Sequence, residues 1–365
     1  MKSVDVVQAW GRILTGSTPL LSIEITRECP LSCPGCYAYN DNHLGGGTVL
    51  RELNDKRGDD LVEGVVGLVK KHRPLHVSLV GGEPMIRHRE LSRIIPQLVD
   101  MGVWPMIVTS AVIPIPPEWT TNEKVRVTIS VDGLPEHHDI RRKPATYERI
   151  MKNIKDCRVN VHLTVTQPML EREDYLDEYF EFWNRRPETR SIWLSLYTPQ
   201  IGEQAPEMLT PASKQHLIDK LPEWRKRYPK LLMFGKTGDA FMSPPASPRE
   251  CTFATMSANY SADLKTRVEP CIFGGSPDCS QCGCAISIAL HCLQDYKIKG
   301  PLKAGHFMRG SMRVGKFMNR FRSSHVDPAR WDGADAAVKH LGLVNIQNNY
   351  PVPAPVEIKE DADVA

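Results

Sequence analysis

From residue 20 onward, short apolar runs alternate with stretches in which apolar residues recur every three to four positions. Leu20–Thr26 (LLSIEIT) is a predicted strand. Asp59 and Asp60 suit the cap and first turn of a helix carrying Leu61, Val62, Val65, Leu68 and Val69 on one face. His76–Val80 (HVSLV) is a second predicted strand, closed by Gly81-Gly82, and a predicted helix follows over Glu90–Met101. The same alternation predicts strands at Pro105–Ser110, Val125–Val131, Val159–Thr166 and Ser191–Tyr197, with helices predicted over Thr146–Cys157 and Glu171–Asn184. Strands rich in Val, Ile and Leu that alternate with helices imply a parallel sheet covered on both faces. Six such units fit a partial or complete α/β barrel better than an open sheet. In either architecture ligands gather at the carboxyl ends of the strands.

Beyond the sixth unit the pattern changes. A helix is predicted around Pro211–Tyr228, and Ser243–Pro248 (SPPASP) reads as a loop or linker. Residues 301–326 hold six Lys or Arg and no acid, with Val314, Phe317, Met318 and Phe321 spaced for one helix face. That face suits either packing on the barrel or a basic amphipathic surface, giving peripheral membrane contact or an anionic-substrate site. Glu357–Ala365 is acidic and expected to be disordered.

The composition narrows the class. The chain has 365 residues, 41% hydrophobic and 24% charged, enough for a large core and near globular averages. A net charge of +3 is too balanced to make nucleic acid or an anionic membrane the main partner. No apolar run reaches the roughly 18 residues of a membrane span. Asp5 and Arg12 interrupt any N-terminal apolar stretch, so no signal peptide is expected and the expected location is the cytoplasm.

Ten cysteines in such a chain point to metal or redox chemistry rather than disulfides. Eight of them are clustered: Cys29, Cys33 and Cys36, then Cys251, Cys271, Cys279, Cys282 and Cys284. The first group has C-x₃-C-x₂-C spacing directly after the first strand. Three thiolates on one short loop can hold three irons of a [4Fe–4S] cubane and leave the fourth open to a ligand. A structural zinc normally takes four protein ligands, and no fourth is evident here. The adjacent His137 and His138 point in different directions on a turn and read as surface or hydrogen-bonding residues. No Ser/His/Asp triad, P-loop or dinucleotide fingerprint is present.

Cys29, Cys33 and Cys36 after a first strand, with Gly81-Gly82-Glu83-Pro84 after the second, closely resemble the radical S-adenosylmethionine (SAM) superfamily. The resemblance covers roughly residues 20–235 and implies a partial (β/α)6 barrel. It implies a [4Fe–4S] cluster whose open iron binds SAM, and reductive cleavage of SAM to a 5′-deoxyadenosyl radical that takes hydrogen from a substrate. It also implies an electron donor such as flavodoxin or ferredoxin. Carried over by position, Gly81, Gly82 and Glu83 would meet the SAM amino group, and Arg142 its carboxylate. Ser130, in Ile129-Ser130-Val131-Asp132-Gly133, matches a serine that contacts SAM, and Ser110 falls where a polar residue near the ribose is common. Many members have an aromatic residue just before the third cysteine, near the adenine. Here Gly35 holds that position and Tyr37 is the aromatic at hand.

The second group, Cys251-x₁₉-Cys271-x₇-Cys279-x₂-Cys282-x-Cys284 around a hairpin, resembles the SPASM or twitch auxiliary-cluster modules of the same superfamily. The full seven-cysteine SPASM pattern is not met. Five cysteines suffice for one further [4Fe–4S] cluster, while Cys279-x₂-Cys282 is equally a zinc spacing. The late cysteines and Glu269-Pro270-Cys271 also resemble the adenosyl hopane synthase branch. The expected organisation is an N-terminal extension (1–19), the barrel (20–235), a cysteine-rich auxiliary region (236–300) and a basic segment with an acidic tail (301–365). Three functions follow: modification of a peptide or protein, which is favoured; a lipid or other small-molecule substrate; and a non-catalytic iron–sulfur or zinc protein.

Overall fold

The computed structural model describes residues 10–322 apart from 41–42, 45–47 and 300. The six expected strands form: β1 (Leu20–Glu24), β2 (His76–Val80), β3 (Trp104–Thr109), β4 (Arg126–Ser130), β5 (Val159–Val165) and β6 (Thr189–Leu196). A seventh strand, β7 (Ser257–Tyr260), was not expected. It lies within the predicted auxiliary region yet pairs with β1, Leu20 opposite Ser257 and Ile23 opposite Tyr260. The sheet order is β6-β5-β4-β3-β2-β1-β7, and every neighbouring pair is parallel. The cysteine-rich region is thus joined to the barrel by main-chain hydrogen bonds.

Alternation within the strands decides the layers. Ile23, Val77, Leu79, Ile107, Val127, Ile129, Val161 and Leu163 are buried in one core. Helices α1 (Gly58–His72), α2 (His88–Asp100), α3 (Tyr147–Asn153), α4 (Tyr175–Arg185) and α5 (Pro211–Arg227) contribute Leu61, Leu91, Ile150, Phe180 and Trp224 to it. The alternate positions carry Ser22, His76, Ser78, Thr128, His162 and Ser195. They line one cavity of about 500 Å³ that residues of all seven strands border. A sheet whose strands all face one cavity is curled, as the barrel expectation requires.

Several boundaries moved for local reasons. β1 stops at Glu24, two residues short of the expected end, because the Thr26 hydroxyl and the Arg27 amide both donate to Asp55, each at 2.7 Å. The helix expected over Thr146–Cys157 begins at Tyr147, with Thr146 as its cap, and ends at Asn153. The helix expected from Glu171 begins at Tyr175, after a short turn at Gln167–Leu170.

Past β7 come α6 (Ala285–Gln294), a two-stranded hairpin of Lys297–Lys299 with Leu302–Lys303, and α7 (Ala304–Asn319). The helix expected around Val314–Phe321 therefore exists, but its apolar seam does not pack on the barrel: Val314 is 49% exposed, Phe317 56% and Phe321 71%. The acidic Glu357–Ala365 lies outside the described residues. Among the described residues no helix is long and apolar enough to cross a membrane.

Candidate active site

The first thiol loop is fixed at its base before its cysteines begin. Asp55 accepts from Thr26 and Arg27, and also from Arg87 at 2.8 Å. The glycine turn after β2 is stitched alongside: the Gly82 amide donates to the Thr26 carbonyl and the Glu83 amide to the Glu28 carbonyl, both at 2.8 Å. A Cβ on Gly82 would lie 2.1 Å from the Glu28 oxygen, so only glycine permits this approach. The Gly-Gly pair brings the thiol loop and the β2 turn together.

Glu83 is held from within the protein. It is 1% exposed, and its carboxylate accepts four internal hydrogen bonds. Oε1 takes the Met85 amide at 3.0 Å and the Thr109 hydroxyl at 2.6 Å; Oε2 takes the Ser110 amide at 2.8 Å and the Ser110 hydroxyl at 2.5 Å. The carboxylate thus ties the β2 turn to the end of β3, and Ser110 is engaged by Glu83. Neither side chain borders the central cavity.

Cys33, Gly35, Cys36 and Tyr37 border that cavity from the thiol loop. Burial pushes the Cys29 thiol up to about 11, with the charges of Glu83, Cys33 and Cys36 adding to it against a hydrogen bond from the Leu31 amide. Burial likewise raises Cys33, against the pull of nearby Arg142. Ser130 and Arg142 line the same cavity. Arg142 donates from Nε to Asp132 Oδ2 at 2.7 Å, and Arg141 Nε donates to the same oxygen at 3.1 Å. Burial alone would raise the Asp132 carboxyl, but these guanidiniums hold it down to about 2. Among the described residues Asp132 Oδ1 is buried with no hydrogen-bond partner. His138, expected as a surface or hydrogen-bonding residue, is the latter: it is fully buried, its Nδ1 accepts the Asp132 amide and its Nε2 meets the Ala145 carbonyl.

The second group converges as its clustering suggested. Cys251, Cys271, Cys279, Cys282 and Cys284 all line one small cavity, walled by apolar residues such as Phe253 and Ile272. Burial raises four of these thiols and neighbouring thiols raise them further; Cys279 is pushed up to about 12. Hydrogen bonds hold the segment to the end of β6: Leu196 N donates to the Gly283 carbonyl at 2.9 Å, and Ala285 N to the Ser195 hydroxyl at 3.0 Å. Cys284 borders both this cavity and the central one. Among the described residues no three His, Cys, Asp or Glu side chains close on one point as ligands of a single ion would. The donor sets still fit iron–sulfur clusters. Each is a group of soft, partly or fully buried thiols, whose mutual repulsion as thiolates a cationic iron core relieves.

Tyr37 stands between the two groups. Its ring meets the Phe273 edge at 5.4 Å, and burial first, then Glu24, Cys36, Cys284 and Cys271, raise its hydroxyl. Beside it is a residue the sequence reading passed over. The His43 side chain is fully buried; Nε2 lies 2.7 Å from Glu24 Oε1 and Nδ1 2.9 Å from the Phe273 carbonyl. Both partners are acceptors, so both nitrogens carry protons. Burial opposes that charge, but Glu24 prevails and the histidine pKa is raised. The His43 carbonyl also accepts from the Gly275 amide at 3.2 Å. His43 therefore fastens the segment after Cys36 to the segment after Cys271. Its only sequence signal is proximity to the cysteines.

Comparison with known proteins places this geometry. No curated protein matches the chain. Among solved structures, Streptococcus suis SuiB bound to precursor peptide SuiA has a TM-score of 0.53 at 13% identity, covering 74% of this chain and 63% of SuiB. The chain thus spans less than two thirds of SuiB. Native anSMEcpe with bound AdoMet has a TM-score of 0.51 at 16% identity, covering 88% of this chain and 95% of that one. The same protein with AdoMet and the Cp18Cys peptide has a TM-score of 0.50 at 13% identity, covering 83% and 100%. At such identities the likeness is one of fold. The family model described as Radical SAM superfamily matches residues 23–181, from β1 into α4. Residues 23–181 therefore match a radical SAM superfamily domain, and the cysteine-rich region behind it fits an auxiliary cluster.

Proposed function

We propose that the protein is a radical SAM enzyme that modifies a peptide or protein. In this reading Cys29, Cys33 and Cys36 hold a [4Fe–4S] cluster that binds SAM, and Cys251, Cys271, Cys279, Cys282 and Cys284 supply the ligands of a second. With an electron from a donor such as flavodoxin or ferredoxin, the first cluster and SAM supply a 5′-deoxyadenosyl radical for hydrogen abstraction. The observation that carries the proposal is that both thiol groups reach one cavity of about 500 Å³, Cys33 and Cys36 from one side and Cys284 from the other. That volume suits SAM together with part of a substrate.

The chain's own groups have separable tasks here. Gly81 and Gly82 bring main chain close to the thiol loop. Arg142, lining the cavity beside Cys33 and Cys36, carries the charge that meets the SAM carboxylate, and Ser130 offers a hydroxyl from the end of β4. Tyr37 gives the cavity an aromatic wall. Glu83 and Ser110 act as positioning residues for the β2 turn, which replaces the direct contacts expected of them. The peptide reading is supported by SuiB and anSMEcpe, both solved with peptides. A cytoplasmic location accords with reduced thiols.

The test is SAM cleavage. Protein purified without oxygen and reduced is expected to release 5′-deoxyadenosine. The triple variant Cys29→Ala, Cys33→Ala, Cys36→Ala is expected to release none, yet to retain about four irons per chain at the second group. Cleavage by the triple variant would sink the assignment. One zinc and negligible iron in it would make the second group a structural zinc site.

A further inference from the structure

α7 is seated by its small residues rather than by its phenylalanines. Its buried positions are the small residues Gly305, Ser311 and Gly315, and a Cβ on Gly315 would meet the Ile13 carbonyl oxygen at 2.2 Å. The large apolar residues of α7 and of the turn just past it form a seam on the open side: Phe307 is 46% exposed, with Val314, Phe317 and then Phe321 following at helical spacing. The Phe317 and Phe321 rings lie 5.2 Å apart, making one continuous apolar ridge. The preceding hairpin adds exposed Ile298 and Leu302. An apolar ridge of this length is uncommon on a surface that meets only water.

A second seam runs beside the first. At about 100° per residue, Arg309, Arg313, Lys316 and Arg320 share a stripe roughly 120° round from the apolar ridge. All four are exposed. Between residues 296 and 322 the chain has eight Lys or Arg and no acid, so the rest of it is net −5. The neighbouring acid, Asp295, is already held by Lys303 at 2.6 Å. The overall charge of +3 conceals this asymmetry.

We propose that α7 and the hairpin before it are a docking surface for an anionic lipid bilayer. The phenylalanine ridge enters the headgroup–acyl boundary, and the Arg/Lys seam meets anionic headgroups. Two features select this occupant. The surface is a convex ridge, whereas bound peptides take grooves or sheet edges. A second copy would set one basic seam against another with no acid in the segment to relieve it. A bilayer supplies an apolar interior and a negative surface in one plane. The proposal is independent of the substrate, because α7 lines none of the cavities described above.

The experiment is flotation of the full-length protein with vesicles of phosphatidylcholine alone, or of phosphatidylcholine with an equal share of phosphatidylglycerol. Binding is expected only with phosphatidylglycerol and is expected to weaken with salt. The double variant Phe317→Ser, Phe321→Ser is expected to bind at least about tenfold more weakly, the scale of losing two buried aromatics. Arg313→Gln with Arg320→Gln is expected to lose the preference for the anionic vesicles. SAM cleavage and circular dichroism are expected to stay unchanged in both. Failure of the unaltered protein to float with phosphatidylglycerol overturns the proposal. So does binding that ignores the phenylalanines, or a self-association in light scattering that the phenylalanine variant abolishes.

Discussion

Glu83 separates what a residue's type reveals from what its surroundings decide. A glutamate after two glycines invites the reading that it meets the ammonium of SAM. Four internal donors instead fill its carboxylate, two of them main-chain amides that cannot reverse direction. Glu83→Gln replaces one acceptor oxygen with an amide NH2 group, so at least one donor faces another donor in a dry site. The expected loss is about 1–3 kcal/mol of unfolding free energy, the range for an unsatisfied buried polar group. Denaturant unfolding of the cluster-free protein checks this. Unchanged stability combined with weakened SAM binding would return the carboxylate to the ligand. The cysteines were legible because thiols at such spacing have few other uses. His43 was not, because a lone histidine in a loop gains meaning only when two acceptors close around it.

Elements were legible where their period was long enough to count. All six expected strands and the long helices formed, with ends displaced by side-chain bonds such as those to Asp55. β7 was missed because the four residues SANY are too few for alternation to register. The strands did carry a further signal: Ser, Thr and His at every second position in HVSLV, VRVTISV and VNVHLTVT mark the face that turns to the cavity. For α7, periodicity identified residues that share a face without saying which face is buried. Close approach at Gly315 decides that. Gly315→Leu cannot fit against the Ile13 carbonyl, so α7 is expected to lift from its seat at a cost of about 1–3 kcal/mol. Hydrogen exchange should rise across residues 304–319 while β1–β4 keep their protection. Unchanged protection in α7 would mean that another contact seats the helix.

At the scale of the whole molecule, the parallel sheet is locked where β1 meets the edge strand β7 by His72, and this joint responds to pH. His72 ends α1; its Nδ1 lies 3.0 Å from the Thr18 hydroxyl before β1, and its Nε2 lies 2.9 Å from the Tyr260 hydroxyl on β7. The side chain is fully buried, and desolvation, aided by the charge of Arg267, lowers it to about 3. In the unfolded chain a histidine titrates near 6.5. Below that pH the unfolded chain takes up a proton that the folded one refuses, so the fold loses stability as pH falls. One refused proton is worth about 1.4 kcal/mol per pH unit. Burial also lowers His76 and His162 to about 4, but both border the central cavity, where water softens the penalty. His43 acts in the opposite sense: with its pKa raised, its contribution is complete below 6.5 and fades as pH rises through the folded value. Acidification from pH 6.5 to 4.5 is therefore expected to lower the unfolding free energy, with His72 setting most of the slope. His72→Gln should begin less stable at pH 7 and flatten that slope by about one proton, as followed by denaturant unfolding across the range. An unaltered slope in the variant would mean that His72 takes up its proton in the fold, and the acid sensitivity would then belong to the cavity histidines.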